Sequence, residues 1–190
     1  MTRWLRSRFT FGWRIWVIAA ACASAAGAVR AVPVTPHPAA APAPRPAAAP
    51  CPSGARTLPA GTPLQPVLDA AAAGAVLCLS SGEYLGPIDI RTAIVLAGPP
   101  DAVIRSTGQD STVRVDAAGA ELRGFSVDGS GTRFDTTDAA VRVHGDDVVV
   151  RDLTVRGALF GIIAERSNRV AVTGNRIVGD AETTDGLRGD

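Results

Sequence analysis

The chain has 190 residues, a formal net charge of +1 and no lysine, so arginine supplies all of its formal positive charge. This length suits one ordinary domain with additional segments, and the balanced charge gives no reason to expect nucleic acid or an acidic membrane surface as a partner. Aromatic residues make up only 5% of the chain, whereas valine, alanine and glycine are frequent. Such a composition favours closely stacked strands over a helical bundle.

Residues 1–31 have the three-part layout of a secretory signal peptide. Arginines near the start are followed by an apolar run from Ile15 to about Ala26, and then by small residues that allow cleavage after Ala25, Ala28 or Ala31. The apolar run is shorter than the ~20 residues that span a bilayer, which favours cleavage over anchoring. We therefore expect export to the periplasm or the extracellular space.

Residues 32–50, "VPVTPHPAAAPAPRPAAAP", are a proline- and alanine-rich segment. Proline at this frequency prevents both helices and strand ladders, so the segment is expected to be a stiff polyproline-like linker. We expect residues 51–190 to form the folded part of the chain.

Only Cys51 and Cys78 remain after signal cleavage, an even pair in an oxidising compartment. In the strand "AVLCLSSG", Leu77 and Leu79 alternate with Cys78, so inward-facing leucines would turn the Cys78 thiol outward. A Cys51–Cys78 disulfide is favoured over two free thiols.

The segment "TPLQPVLDAAAAG" predicts a short amphipathic helix. Thr62 is the expected cap, Pro63 fits the first helical position, Gln65 fits a capping box, and Gly74 can end the helix. We expect this helix to cover the N-terminal end of the strands that follow.

Three ten-residue units, "AELRGFSVDG", "VVVRDLTVRG" and "VAVTGNRIVG", repeat one pattern of alternating apolar residues. Each unit breaks its alternation at the same point, at Gly124, Asp152 and Gly174, and each follows another short strand seven or eight residues earlier. A repeat of 22 to 28 residues that consists only of short strands and turns is typical of stacked parallel strands, one turn per repeat.

The sequence therefore predicts an all-β fold, a right-handed, single-stranded parallel β-helix of the pectin-lyase-like kind with a short N-terminal capping helix. We count about four turns, which corresponds to ~20 Å of height. A hairpin sandwich would need tight two-residue turns such as Asn-Gly or Asp-Gly between strands of matching length, whereas Asp128-Gly129 opens a long loop. A leucine-rich horseshoe would need a leucine and asparagine spacing that the sequence lacks. The segment after Gly179 is polar and does not predict an element that could cover the end of the β-helix, so we expect further turns beyond Asp190.

The segment "GSGTRFDTTD" is the longest insertion between repeats. We expect it to form a solvent-facing turn, and deletion of residues 132–137 to be tolerated.

The segments "LQPVLDAAAAGAVLCLSSGEYLGPIDI", "VRVDAAGAELRGFSVDGSG", "DAAVRVHGDDVVVRDL" and "ALFGIIAERSNRVAVTGNRIVG" follow the order seen in the NosD family, which this chain resembles over about residues 64–190. These are periplasmic β-helix proteins that assist maturation of nitrous oxide reductase. The resemblance implies an exported, non-enzymatic accessory that works beside a membrane ABC-type transporter, with copper-enzyme maturation proteins as partners and no cofactor of its own.

Two other functions stay open. One is binding or degradation of an anionic polysaccharide, and the other is a generic exported scaffold. The candidate ligand or partner face comprises five residues in or near the long insertion and on the strands beside it: Arg114, Asp135, Asp138, Arg142 and His144. Arg114 and Arg142 are expected to stack outward on successive turns, as are Arg123 and Arg151. Stacked like charges repel unless an anionic group or a solvated layer relieves them, which is a hint of an anionic face.

Ordinary structural roles explain most of these residues equally well. Aspartates at turns bond local N–H groups, Asn175 either adopts a left-handed conformation or bonds a neighbouring turn, and outward arginines are commonly just solvated. We find no acid–base pair, nucleophile triad or metal motif, and so predict neither a catalytic site nor a metal site. His37 in the linker is expected to be inert.

Overall fold

The computed structural model describes residues 51–179, which consist almost entirely of short parallel strands. The predicted signal peptide and linker lie outside the described residues, as do residues 180–190. The single described helix is α1 (Leu64–Asp69). The strands are β1 (Arg56–Leu58), β2 (Val76–Leu79), β3 (Gly82–Leu85), β4 (Ile88–Ile90), β5 (Val95–Ala97), β6 (Ala102–Arg105), β7 (Val113–Val115), β8 (Glu121–Arg123), β9 (Ser126–Asp128), β10 (Ala139–Val143), β11 (Val149–Arg151), β12 (Thr154–Arg156), β13 (Phe160–Ala164), β14 (Ala171–Thr173) and β15 (Arg176–Val178).

The strands form three sheets that wrap around one core. Sheet I has the order β1-β2-β5-β8-β11-β14, sheet II the order β3-β6-β9-β12-β15, and sheet III the order β4-β7-β10-β13. From β2 onward, successive strands along the chain enter sheets I, II and III in turn, and each pairs in parallel with the strand one repeat away. The predicted parallel β-helix is confirmed.

The molecule is taller than the sequence predicts. Sheet I has six strands in the described part of the chain, which at ~4.8 Å per strand gives about 24 Å of height, against a prediction of about four turns. The prediction missed β1, because its sequence, "RTL", has only three residues and its alternation is too short to recognise.

The repeated break in the ten-residue units is a left-handed residue between sheets I and II. Gly124, Asp152 and Gly174 have φ angles of 85°, 57° and 66°. Glycine adopts this conformation without a steric penalty, and aspartate tolerates it better than most residues. The kink turns the chain from sheet I into sheet II, which is why it recurs at one point in these three repeats.

The core is a column of aliphatic side chains from all three sheets. Every inward-facing residue predicted in the first two units is at most 1% exposed; these are Ala120, Leu122, Phe125, Val127, Val148, Val150, Leu153 and Val155. In the last described turn, Val172 and Ile177 occupy the same rows but are 46% and 55% exposed. Within the described residues, an inward side chain of this last turn packs on one neighbouring turn, whereas an inward side chain of the two units before it packs on a turn on each side.

The capping helix is present, although its ends differ from the prediction. The Thr62 hydroxyl donates to the Pro59 carbonyl at 2.6 Å instead of capping the helix, whose N-cap is Pro63 without a side-chain hydrogen bond. The helix ends at Asp69, well before Gly74. Gln65 ties it to β4, because its Oε1 accepts from the Asp89 backbone N at 2.7 Å and its Nε2 donates to the Asp89 carbonyl at 3.1 Å. The helix thus packs beside the first strand of sheet III.

Cys51 and Cys78 are joined in a disulfide. Leu77 and Leu79 face the core on either side of Cys78, as their alternation predicts, and the Cys78 side chain is fully buried beneath the segment that carries Cys51. A bridge that closes a loop of this length stabilises a fold by about 3–4 kcal/mol in the chain-entropy model. In the described part of the chain, no helix has the length and apolarity needed to cross a bilayer.

Candidate functional site

The outward face of sheet III carries two rows of polar side chains that run along the stacked turns. The first row contains Asp89, Arg114 and Arg142, which are direct register neighbours on β4, β7 and β10. The second row follows the ends of these strands and brings together Asp116, His144 and Glu165, one residue beyond the paired positions. The predicted stacking of Arg114 on Arg142 is confirmed, and it places three of the five candidate residues on this face.

Carboxylates of the same face neutralise the stacked arginines. Arg114 Nε lies 2.7 Å from Asp89 Oδ1, and Arg142 Nη2 donates to Glu165 Oε2 at 2.8 Å. The hydrogen bond from Arg142 holds the pKa of Glu165 below its usual value. The stack is thus relieved by acids of the chain itself, which come from the preceding and following turns.

His144 joins the two rows. Its Nδ1 lies 3.1 Å from Asp116 Oδ1, and its Nε2 accepts from Arg142 Nε at 3.1 Å. A ring that carries its proton on Nδ1 satisfies both of these contacts. Both ring nitrogens are thus engaged within the face.

Sheet I repeats the arrangement on its outward side. Arg123 and Arg151 are register neighbours, as predicted, and Glu121 lies between their guanidinium groups. Glu121 Oε1 is 2.9 Å from Arg151 Nη2 and 3.5 Å from Arg123 Nη1. This second arginine stack is also neutralised within the chain.

The long insertion between β9 and β10 is organised around the buried carboxylate of Asp138, which is 2% exposed. Its Oδ1 accepts from the Thr136 hydroxyl at 2.8 Å, and its Oδ2 accepts from the Arg133 backbone N at 3.1 Å and from Arg133 Nε at 3.4 Å. Burial acts to raise the pKa of Asp138, but the hydrogen bonds from Thr136 and Arg133 outweigh it and hold the pKa below its usual value. Asp138 thus maintains the loop, whereas Asp135 lies exposed near its tip.

Residues 132–135 of the insertion are exposed to solvent, as expected, but the insertion is not free of contacts, because it packs on the turns before and after it. Arg133 pairs with Asp110 of the preceding turn. Phe134 meets Phe160 of the following turn edge to face, with ring centroids 5.6 Å apart. Arg142 Nη1 donates to the Thr136 carbonyl at 2.6 Å, which ties the loop to sheet III.

A half-open cleft of about 280 Å³ lies where the insertion meets the loop before β7. It is lined by Gly108, Gln109, Asp110, Thr132, Arg133 and Asp138. Of these six residues, the sequence analysis selected only Asp138. The lining comes from two loops in different repeats, so no pattern within a single repeat brings these residues together.

Sequence reasoning also missed Asp89, Asp116 and Glu165. The sequence does contain a pattern that identifies Asp89. This residue lies between the inward-facing Ile88 and Ile90, one repeat before Arg114, so aligning the repeats by their inward residues pairs Asp89 with Arg114. Among residues 51–179 there is no group of three or more histidine, cysteine or acidic side chains placed to hold a metal ion.

No family model matches the chain, and no solved structure matches it. Over 114 residues it is 31% identical to a curated protein named probable ABC transporter binding protein NosD, from Stutzerimonas stutzeri. The match covers 59% of this chain, and the chain spans only 26% of that relative's length. This relative confirms the resemblance that the sequence motifs indicate.

Proposed function

The chain is a NosD-like parallel β-helix protein over the matched residues, and we propose from that premise that it is an exported, non-enzymatic accessory protein. In this role it assists copper-site maturation of nitrous oxide reductase together with a membrane ABC-type transporter. The observation that carries the proposal is the 31% identity to a protein named as binding an ABC transporter. Copper is then the cargo of the system rather than a resident cofactor of this chain.

The outward face of sheet III supports a docking role. Its side chains are held in place by mutual hydrogen bonds, and those of Arg114, Arg142 and His144 are still 40%, 22% and 37% exposed. Fixed charges of both signs in a defined pattern give a protein partner specificity and orientation more than raw affinity. We propose that this face, together with the exposed Asp135, contacts the transporter or a maturation partner.

The same face argues against an anionic polysaccharide as the ligand. With Arg91, whose Nη2 pairs with Asp89, three arginines stand among three carboxylates on this face, those of Asp89, Asp116 and Glu165. A polyanion would have to displace these carboxylates from the arginines before it could bind, and the balanced charges of the face would give it no net attraction. The charge balance thus favours a protein partner of mixed charge.

A chimera tests the proposed function. The 114-residue segment of the S. stutzeri protein is replaced by the matching segment of this chain, and the chimera is expressed in a strain that lacks its own copy. We expect export of the chimera and recovery of nitrous oxide reductase that contains its copper, measured by its visible absorption and by nitrous oxide consumption. A chimera that is exported and folded but yields copper-free reductase would contradict the proposal.

The docking face has its own test. In the full chain, Arg114→Glu should reduce cross-linking to the transporter by at least about tenfold, because it reverses a charge at a specific contact. Arg156→Glu is the matched control, since Arg156 is an exposed arginine on sheet II. If both variants lose cross-linking equally, or if neither loses it, the contact with the transporter lies elsewhere. A generic scaffold would then be the better description.

A further inference from the structure

The cleft beside the insertion offers a set of hydrogen-bonding groups that the fold does not use. No hydrogen bond within residues 51–179 involves the Gln109 amide or the Thr132 hydroxyl, and both residues are exposed. Arg133 uses Nε and Nη2 for Asp138 and Asp110, which leaves Nη1 for a ligand. These groups converge on one cleft from two different turns.

Most of the carboxylate oxygens in the cleft already accept hydrogen bonds from within the protein. Both oxygens of Asp138 accept hydrogen bonds from within the insertion, and Oδ1 of Asp110 accepts from Arg133. Asp110 Oδ2 is the remaining carboxylate acceptor of the lining. The cleft therefore presents a mixed set: donors from Arg133, an acceptor from Asp110, and groups on Gln109 and Thr132 that can do both.

This set selects among ligand classes by charge. With two carboxylates and one guanidinium, the lining carries one net negative charge, which disfavours a carboxylate or phosphate ligand. A cation would need several free acceptors around it, whereas most of the carboxylate oxygens are already occupied. Hydroxyl groups, which both donate and accept, match the mixed lining.

The shape of the cleft limits the size of the ligand. A volume of about 280 Å³ is at the lower end of small-molecule sites, and suits one six-membered ring with its hydroxyl groups. The cleft is half open, so such a ring can belong to a longer chain that continues into solvent.

We propose that this cleft binds one neutral, hydroxyl-rich ring, such as a single hexose unit of a glycan. The site is separate from the docking face and does not depend on the proposed role in copper delivery. Few groups make the contacts and the site is open to water, so the affinity for a free monosaccharide is expected in the millimolar range.

Ligand-observed NMR with the full chain tests the proposal. The probes are glucose, galactose and mannose as neutral sugars, with glucuronate and glucosamine as charged analogues of the same size. We expect saturation transfer from the protein to at least one neutral sugar, and at least about fivefold weaker binding of glucuronate. No transfer to any neutral sugar, or tighter binding of glucuronate, would overturn the proposal.

Variants locate the site. Gln109→Ala and Thr132→Ala should each weaken binding of the neutral sugar at least about threefold, because they remove groups that only a ligand uses. Thr107→Ala is the matched control in the same loop, since Thr107 is exposed and does not line the cleft. Thermal melts establish that all three variants fold. Sugar binding that is unchanged in Gln109→Ala and Thr132→Ala would place the sugar outside this cleft.

Discussion

Asn175 binds the Leu153 backbone of the preceding turn of the β-helix through its side-chain amide. Its Oδ1 accepts from the Leu153 backbone N at 2.9 Å, while its Nδ2 donates to the Val150 carbonyl at 2.9 Å. The sequence left two roles open for Asn175, a left-handed conformation or a bond to a neighbouring turn. The structure gives the left-handed conformation to Gly174 and the bond to Asn175.

Replacing Asn175 by alanine should therefore destabilise the fold by about 1–2 kcal/mol, because two partly buried backbone groups lose their partners. Denaturant unfolding followed by circular dichroism measures the change. Thr173→Ala is the control, since Thr173 is exposed on the neighbouring strand β14. A loss no larger than that of the control would mean that water replaces the amide without cost.

Val150→Asp should unfold the chain or cost several kcal/mol, because Val150 is fully buried and a carboxylate there has no partner in an aliphatic column. Val149→Asp is the matched control one residue away, on the outward side of β11, where the side chain is partly exposed. Thermal melts of the two variants should differ clearly. Equal melting temperatures would contradict the inward assignment of Val150.

Deleting residues 132–137 should destabilise the protein by about 3–5 kcal/mol, contrary to the expectation from sequence. The deletion removes Arg133 and Thr136, and so leaves the buried Asp138 carboxylate without its hydrogen-bond donors. The double change of this deletion with Asp138→Ala should recover part of the loss, because it removes the unpaired charge. Denaturant unfolding that finds the deletion as stable as the parent would show that the loop contributes nothing to the fold.

Asp138 also predicts a dependence of stability on pH. Its pKa in the folded protein lies below the usual value of about 3.9, so its contribution is fully present above that value. As pH falls through about 4 and then through the lower folded pKa, the contribution is lost. Between pH 6 and pH 3, the free energy of unfolding of the parent should therefore fall more than that of Asp138→Asn. Denaturant unfolding of both proteins at each pH measures the difference. Parallel curves would contradict the assignment, since Glu165 and Asp147 titrate equally in both proteins.

The sequence predicts the parts of this fold that repeat locally and fails where distant turns meet. Alternating valines and leucines identify the core rows, and the recurrent kink at Gly124, Asp152 and Gly174 identifies the turns. Glu165 could not be assigned to Arg142 without the register between β10 and β13, because a carboxylate after a strand is equally compatible with solvent. The insertion was misjudged for the same reason: its partners Asp110 and Phe160 come from the turns on either side of it.

The last prediction concerns copper as cargo. Cuprous ion prefers thiolate, thioether and imidazole ligands, and a tight site needs at least two or three that converge. In residues 51–179 the two cysteines form a disulfide, and both nitrogens of His144 are engaged by Asp116 and Arg142. Met1 and Cys22 are expected to leave with the signal peptide, and His37 stands alone in the linker.

The processed, oxidised chain ending at Asp190 should therefore bind no cuprous ion more tightly than about micromolar. Anaerobic titration against a competing chelator measures this, and His144→Ala should leave the result unchanged. A stoichiometric site tighter than micromolar that survives with the disulfide intact would show that the chain carries copper itself.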